Sequence, residues 1–246
     1  MYHPFSILET LKISWHIFKG NFAVIIIFSF ISFILLLIVG TIYNFLYSDD
    51  FATSMILFFL EVVIQAYTTL GLYKLLFTVI DSEFYEFEFK QVLPSFRMLY
   101  SYVAVIFMFA FVVADIGFLI GRLNAYPNLQ DALKNIMVIV FLYFLLRIMF
   151  FITFIVDDKS GPIESIVQSF KLTKGNFFKL VVIMVISILL VVIPLYVSKF
   201  FPILSYVVLI LIVIVGFPFI GIILATTYRK LVYSHQDIDD DVTDAI

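Results

Sequence analysis

Six apolar runs, each long enough to cross a lipid bilayer, leave this chain few ways to fold. A helix spanning a hydrocarbon core of ~30 Å needs about 20 mostly apolar residues. The runs Phe22 to Leu46, Met55 to Ile80, Tyr102 to Ile120, Asn135 to Val156, Phe177 to Val197 and Ile203 to Thr226 meet that length. They predict an all-α polytopic membrane protein with six transmembrane helices. Ser48-Asp49-Asp50 joins the first two spans and Lys199-Phe200-Phe201-Pro202 the last two, so both pairs read as tight hairpins. The link from Gly121 to Lys134 is longer and polar. Composition agrees: the 246 residues are 63% hydrophobic and 13% charged, with a mean hydropathy of +1.14, whereas soluble domains carry roughly 25% charged residues.

The net charge of -3 is small and the basic residues are scattered in ones and twos, which leaves no footprint for nucleic acid. Cysteine is absent, which excludes disulfides, thiolate nucleophiles and Cys-ligated metals together. Glu9, Lys12, His16 and Lys19 precede the first apolar run with no cleavage-site pattern, so no removable signal peptide is expected.

Lys and Arg in short loops are retained on the cytoplasmic side. Lys12, Lys19, Lys74, Lys90, Arg97, Lys159, Lys171, Lys174, Lys179, Arg229 and Lys230 fall on one side of the six spans, and Arg122, Lys134 and Lys199 on the other. Both termini are therefore expected in the cytoplasm. A single membrane domain, 1–235, would be followed by an irregular acidic cytosolic tail, 236–246.

One polar phrase is written twice. At a fixed offset of 155, Ile7 to Phe22 and Pro162 to Phe177 share Glu9/Glu164, Ser14/Ser169, Lys19/Lys174, Gly20/Gly175, Asn21/Asn176 and Phe22/Phe177. The offset holds through the following hairpin, so Tyr73-Lys74 falls on Tyr228-Arg229. Two copies of one unit, about 5–80 and 158–235, are the simplest account. A fainter third copy, about 81–157, contains Pro94 to Val103 with its Ser-Phe-basic pattern but no Gly-Asn. Units that start and finish on one side are parallel repeats.

On a helix, Glu9, Lys12, His16 and Lys19 share one face, and Ile7, Leu8, Leu11, Trp15 and Phe18 the other. Each unit should therefore open with an amphipathic helix lying in the membrane interface, turned into the span by Gly20-Asn21 or Gly175-Asn176. The second copy has Ile163, Ile166, Val167 and Phe170 on its apolar face, after a Gly161-Pro162 break.

The stretch Phe151 to Leu180 resembles a bacterial group typified by the membrane domain of glycerophosphoryl diester phosphodiesterase and its stand-alone six-span relatives. Asp158, Gly161, Pro162, Glu164, Ser169, Leu172, Thr173, Gly175 and Asn176 carry the likeness, and Ser165 departs from it. The resemblance implies a multi-pass protein of the bacterial inner membrane. Phosphodiesterase chemistry in the fused members belongs to a separate barrel domain that 246 residues cannot also hold, so no catalytic residue carries over.

Searching for chemistry yields little. His3, His16 and His235 lack a partner at metal-binding spacing, so no metal or cofactor is expected. Asp157-Asp158 beside Lys159 reads as a solvated boundary, and Pro218 as a kink in the sixth span. The polar groups inside the spans are Glu61, Gln65, Asp115 and Arg147. A mid-membrane charge costs roughly 2.5–3.5 kcal/mol on insertion scales and so seeks a partner or a wet cavity. Counted from Phe51 and Asn135, Glu61 and Arg147 lie at similar depth, which predicts an ion pair with Gln65 one turn away. One pair makes a poor conduction path, so a lock between spans is the simpler reading.

The expected function is a non-enzymatic membrane module that handles lipid or partner proteins, a second copy included, at the cytoplasmic leaflet. The alternative is a small transporter or channel with a cavity lined by those four residues. On the expected topology, cysteines placed at Ser48 and Ser160 label from opposite sides of the membrane; labelling from one side would overturn it.

Overall fold

The computed structural model describes residues 6–46, 50–81, 92–123, 126–200 and 202–243. The helices are α1 (Ile7–Gly20), α2 (Phe22–Leu46), α3 (Phe51–Asp81), α4 (Phe96–Gly121), α5 (Pro127–Arg147), α6 (Phe151–Asp157), α7 (Pro162–Leu172), α8 (Phe177–Ser198), α9 (Pro202–Leu211) and α10 (Phe217–Thr243), with a π turn at Ile212–Gly216 between the last two. No strand occurs among the described residues. Six segments are long and apolar enough to cross a membrane: α2, α3, α4, α5 with α6, α8, and the sixth span at Ser205–Tyr233. The chain is a polytopic α-helical membrane protein. Its spans carry exposed large apolar side chains such as Ile31, Phe111, Ile139 and Leu209, as lipid-facing surfaces require.

The even-numbered spans form the centre. Leu70, Tyr73 and Phe77 of α3, Phe150, Phe154 and Ile155 in and beside α6, and Ile223, Tyr228 and Leu231 of α10 share one buried cluster. The odd-numbered spans pack around it, α4 adding Met98 and α8 adding Leu180 and Ile183 to the cluster: α2 touches α3 and the π turn, α4 touches α3, α5 and α6, and α8 touches α5 and α9. Two glycines permit the closest approaches. A Cβ on Gly71 would stand 3.0 Å from Phe28 of α2, and one on Gly221 would stand 2.8 Å from Leu76 of α3.

The opening helices take a steeper path than their amphipathic pattern suggests. Glu9 meets Lys230 at 2.8 Å and Phe18 meets Phe219 at 5.3 Å between ring centroids. Nine residues of α1, ~13.5 Å, thus run antiparallel to eleven residues of α10, ~16.5 Å, so the axis follows the spans. The buried stripe is Thr10, Ser14 and Phe18. Its small hydroxyl residues admit close helix packing, and both bond back to their own helix: Thr10 Oγ1 donates to the Ser6 carbonyl at 2.8 Å and Ser14 Oγ to the Thr10 carbonyl at 2.8 Å. In α7 the buried positions are Ser165, Ser169 and Leu172. Leu8 and Ile163 stay outside, 65% and 69% exposed. Each opening helix thus has a third face, made of hydroxyls and turned to the protein.

The two Gly-Asn junctions differ. Asn21 N–H still donates to the Ile17 carbonyl at 3.1 Å, so α1 passes into α2 with little interruption. Gly175 has φ +89°, a left-handed conformation that favours glycine, and makes a genuine turn. Pro94 to Val103, the faint third copy, straddles the start of α4, which Ser95 caps by accepting from Met98 N–H; the preceding residues 82–91, with Lys90, lie outside those described. Residues 236–243, expected as irregular tail, continue α10 to Thr243. Ser160 is buried, so Lys174, which is exposed, is the better position for an accessibility label; Ser48 lies outside the described residues.

Gly221→Ala should lower the melting temperature in detergent by the equivalent of about 1–3 kcal/mol, the usual range for overpacking, because fully buried Leu76 has nowhere to move. Gly40→Ala, with nothing within 4 Å of the added carbon, should leave it unchanged or raise it. Equal effects would refute the close approach of α3 and α10.

Candidate functional site

Three polar features could carry function, and the most strongly built is a clasp where the even spans end beside α1. Arg229 of α10 reaches the last residues of two other spans. Its Nη1 donates to Asp157 Oδ2 at 2.7 Å and its Nη2 to Asp157 Oδ1 at 2.9 Å, while Nε donates to Asp81 Oδ1 at 3.1 Å and Nη2 also to Asp81 Oδ2. Both carboxylates are engaged in two-point fashion, the geometry for which a guanidinium is suited. The Arg229 side chain is 18% exposed and that of Asp157 21%. The guanidinium lies 4.7 Å from the Phe77 ring centroid. Tyr228, buried among Phe77, Phe150 and Phe154, donates its hydroxyl to Asp157 Oδ2 at 2.9 Å. Lys74, Thr78, Asp81 and Asp157 line a small cleft of about 200 Å³ here.

The neighbouring basic residues hold the starts of other units. Lys74 Nζ donates to the Leu93 carbonyl at 2.8 Å, ahead of α4, and Lys230 pairs with Glu9 of α1. Asp158, beyond the fourth span, has its carboxyl pushed above the ordinary carboxylate range, first by burial and then by Asp157 and Glu164, against a lowering pull from Arg229.

The second feature surrounds Arg147 at the end of α5. Between α5 and α6 the fourth span breaks at 148–150, and Ser169 of α7 fills the gap. Its hydroxyl donates to the Arg147 carbonyl at 2.9 Å and accepts from Phe150 N–H at 3.1 Å, satisfying backbone groups that a broken helix would leave bare in lipid. The Arg147 guanidinium stands 5.1 Å from the Phe170 ring centroid. Its buried Nε has no hydrogen-bond partner. Nearby, the Glu164 carboxylate accepts from Gly161 N–H at 3.2 Å, bracing the Pro162 start of α7, and Ser160 Oγ donates to Gln168 Oε1 at 2.7 Å.

The expected Glu61–Arg147 pair does not form. Neither side chain takes part in a salt bridge among the described residues. The reason is depth: the fourth span starts at Pro127 and not at Asn135, which puts Arg147 twenty residues down its helix, ~30 Å, while Glu61 is ten residues past Phe51, ~15 Å. Asp115 is exposed on α4, six residues before its end. Of the four intramembrane candidates, Gln65 lines a cavity.

That cavity is the third feature, a cleft of about 410 Å³ between α2, α3 and the sixth span, lined by Phe28, Phe33, Leu72, Phe217 and the polar Ser29, Ser32, Gln65, Thr68 and Thr69. Pro218, read from the sequence as a kink, instead sits just after the π turn. Of the repeated motif, Ser14 and Ser169 turn inward as described, Lys19 lies 5.1 Å from the Trp15 ring centroid, and Lys174 is exposed.

Sequence reasoning missed the clasp because Asp157-Asp158 and Arg229 each look like ordinary charges at a membrane boundary. The signal available was Tyr-basic recurring at 73–74 and 228–229. No family model matches the chain, and neither the curated proteins nor the solved structures contain a match to it.

Arg229→Gln should destabilise the protein in detergent by about 2 kcal/mol, between the ~0–1 kcal/mol of an exposed pair and the ~3–5 kcal/mol of a fully buried one. Adding Asp157→Asn should recover part of that loss, and strictly additive losses would refute the clasp. Asp158 supplies a pH test. A carboxyl whose folded pKa is raised binds its proton more tightly in the fold, so the fold gains stability as pH falls from neutral towards the ordinary carboxylate range. Asp158→Asn should raise the melting temperature at neutral pH and flatten that gain; an unchanged pH profile would exclude a raised Asp158 carboxyl.

Proposed function

We propose that this protein is a non-enzymatic integral membrane module that holds anionic lipid at the cytoplasmic leaflet, with both termini in the cytoplasm of a bacterium and the chain in its inner membrane. The observation that supports this most is Arg147. A guanidinium half-buried at the break in the fourth span, over an aromatic ring and with no carboxylate partner among the described residues, lacks there the counter-charge that intramembrane ions require. A phospholipid phosphate supplies one. Arg147 lies on the basic-rich side of the molecule, next to α7 with its exposed Ile163 and Val167 and its Lys171 and Lys174, a composition that suits a helix touching headgroups. The likeness of Phe151 to Leu180 to the six-span relatives of the phosphodiesterase membrane domain, and the reading of the chain as parallel repeats, are parts of this proposal. The matching helix order of α1–α2–α3 and α7–α8–α9/α10, each opening helix laid along an even span, supports the repeats. Other membrane proteins or a second copy remain partners of the same module.

A transporter is the competing reading, and the cleft beside the π turn favours it. Glu61, Asp115 and Arg147 do not line that cleft, which removes the charges such a path would use.

In nanodiscs of mixed phosphatidylglycerol and phosphatidylcholine, native mass spectrometry of the wild type should show retained phosphatidylglycerol. Arg147→Gln should lose that enrichment severalfold, while Arg122→Gln on the opposite side should keep it. Equal enrichment in all three would remove Arg147 as a headgroup site.

A further inference from the structure

The cleft between α2, α3 and the sixth span contains an acceptor that the helix itself cannot fill. Across the π turn, Phe217 N–H donates to the Ile212 carbonyl. The Val213 carbonyl therefore loses its α-helical donor, Phe217. Its π-spaced donor would be residue 218, which is proline and has no N–H. Val213 lines the cleft, so the carbonyl that the π turn deprives of its helical donor belongs to a residue of the cavity wall at membrane depth. Ser32 and Gln65 line the same cleft, and their side chains make no hydrogen bond within the described residues. By contrast, Ser29 and Thr68 bond back to the Ile25 and Gln65 carbonyls at 2.8 and 3.0 Å. Widened turns of this kind concentrate at functional sites.

We infer that the cleft is a binding site for a single-chain amphiphile whose hydroxyl donates to the Val213 carbonyl while its apolar body lies against Phe28, Phe33, Leu72 and Phe217. About 410 Å³ falls within the roughly 300–1,000 Å³ of small-ligand sites and is too small for another helix. A mostly apolar lining with a few convergent polar groups is the pattern such sites show. A plain acyl chain would fill the volume and leave the carbonyl bare; a hydroxyl at the end of the chain satisfies both. Gln65 of α3 and Ser32 of α2 offer donors for the hydroxyl oxygen in the same cleft. The site is separate from Arg147, so the two readings fail independently.

The test uses the full chain in phosphatidylcholine nanodiscs and a hexadecanol carrying a mid-chain diazirine. Illumination should label peptides of α2, α3 and 213–221. Unmodified hexadecanol should compete about five- to tenfold better than hexadecyl methyl ether, the worth of one hydrogen bond. Pro218→Ala, which returns an N–H to the turn, should make alcohol and ether compete equally, and Ser32→Phe should abolish the labelling. Melting curves check that both variants fold; if Pro218→Ala does not, the wild-type comparison of alcohol with ether decides. Equal competition in the wild type, as expected if water or an acyl chain fills the cleft, would overturn the proposal, as would labelling spread over the lipid-facing surface or indifferent to Ser32→Phe.

Discussion

A backbone in hydrocarbon must bond to itself, and two departures from regular helix in this protein meet that demand differently, one answered by a particular group and one left as an opening. At 148–150 the fourth span breaks with neither Pro nor Gly to cause it, and the Ser169 hydroxyl takes both the orphaned Arg147 carbonyl and the Phe150 N–H. At the sixth span the departure is a π turn followed by Pro218, and there the Val213 carbonyl finds no donor in the helix. One irregularity is closed by the protein and the other faces a cleft. The first therefore reads as architecture and the second as a place for a ligand.

The polar ties also have a direction. Arg229 with Asp81 and Asp157, Lys230 with Glu9, and Lys74 with the Leu93 carbonyl all lie where the even spans meet the opening helices. At the other end the described ion pair is Lys134 with Asp131, exposed and within one helix. Such a pair contributes about 0.3–0.5 kcal/mol. The three even spans are thus held together at one end by charge and, over the last turns leading to that end, by the buried cluster around Tyr228 and Phe150. The odd spans rest on this frame through packing, with Gly71 setting how closely α2 approaches α3, while Gly221 does the same between the even spans α10 and α3.

Much of this plan was legible in the residues. The six spans, the helix starts at Ile7 and Pro162 and the hairpins follow from apolar length and from Gly-Pro and Asp-rich breaks, which are local signals. The hydroxyl stripe of Thr10, Ser14, Ser165 and Ser169 was present but unread, because a two-faced helix pattern counts Ser and Thr as neutral. The Glu61–Arg147 pair failed on an error of eight residues in where the fourth span begins: Pro127-Asn128-Leu129-Gln130-Asp131 is polar enough to look like loop yet forms the first turns of α5.

The sequence by itself determined that the chain is a six-span helical membrane protein and which segments lie in the membrane, because the free energy of placing apolar residues in lipid depends on each segment alone. Only the tertiary structure decided that α1 lies along α10, that Arg229 joins Asp81 from 148 positions away, that Arg147 has no carboxylate partner among the described residues, and that the sixth span opens a cleft against α2 and α3. These depend on which helix faces which and at what height. Lipid tails are as apolar as the residues they meet, so hydropathy cannot choose between packings; small residues, backbone gaps and a few charges make that choice once the helices are side by side.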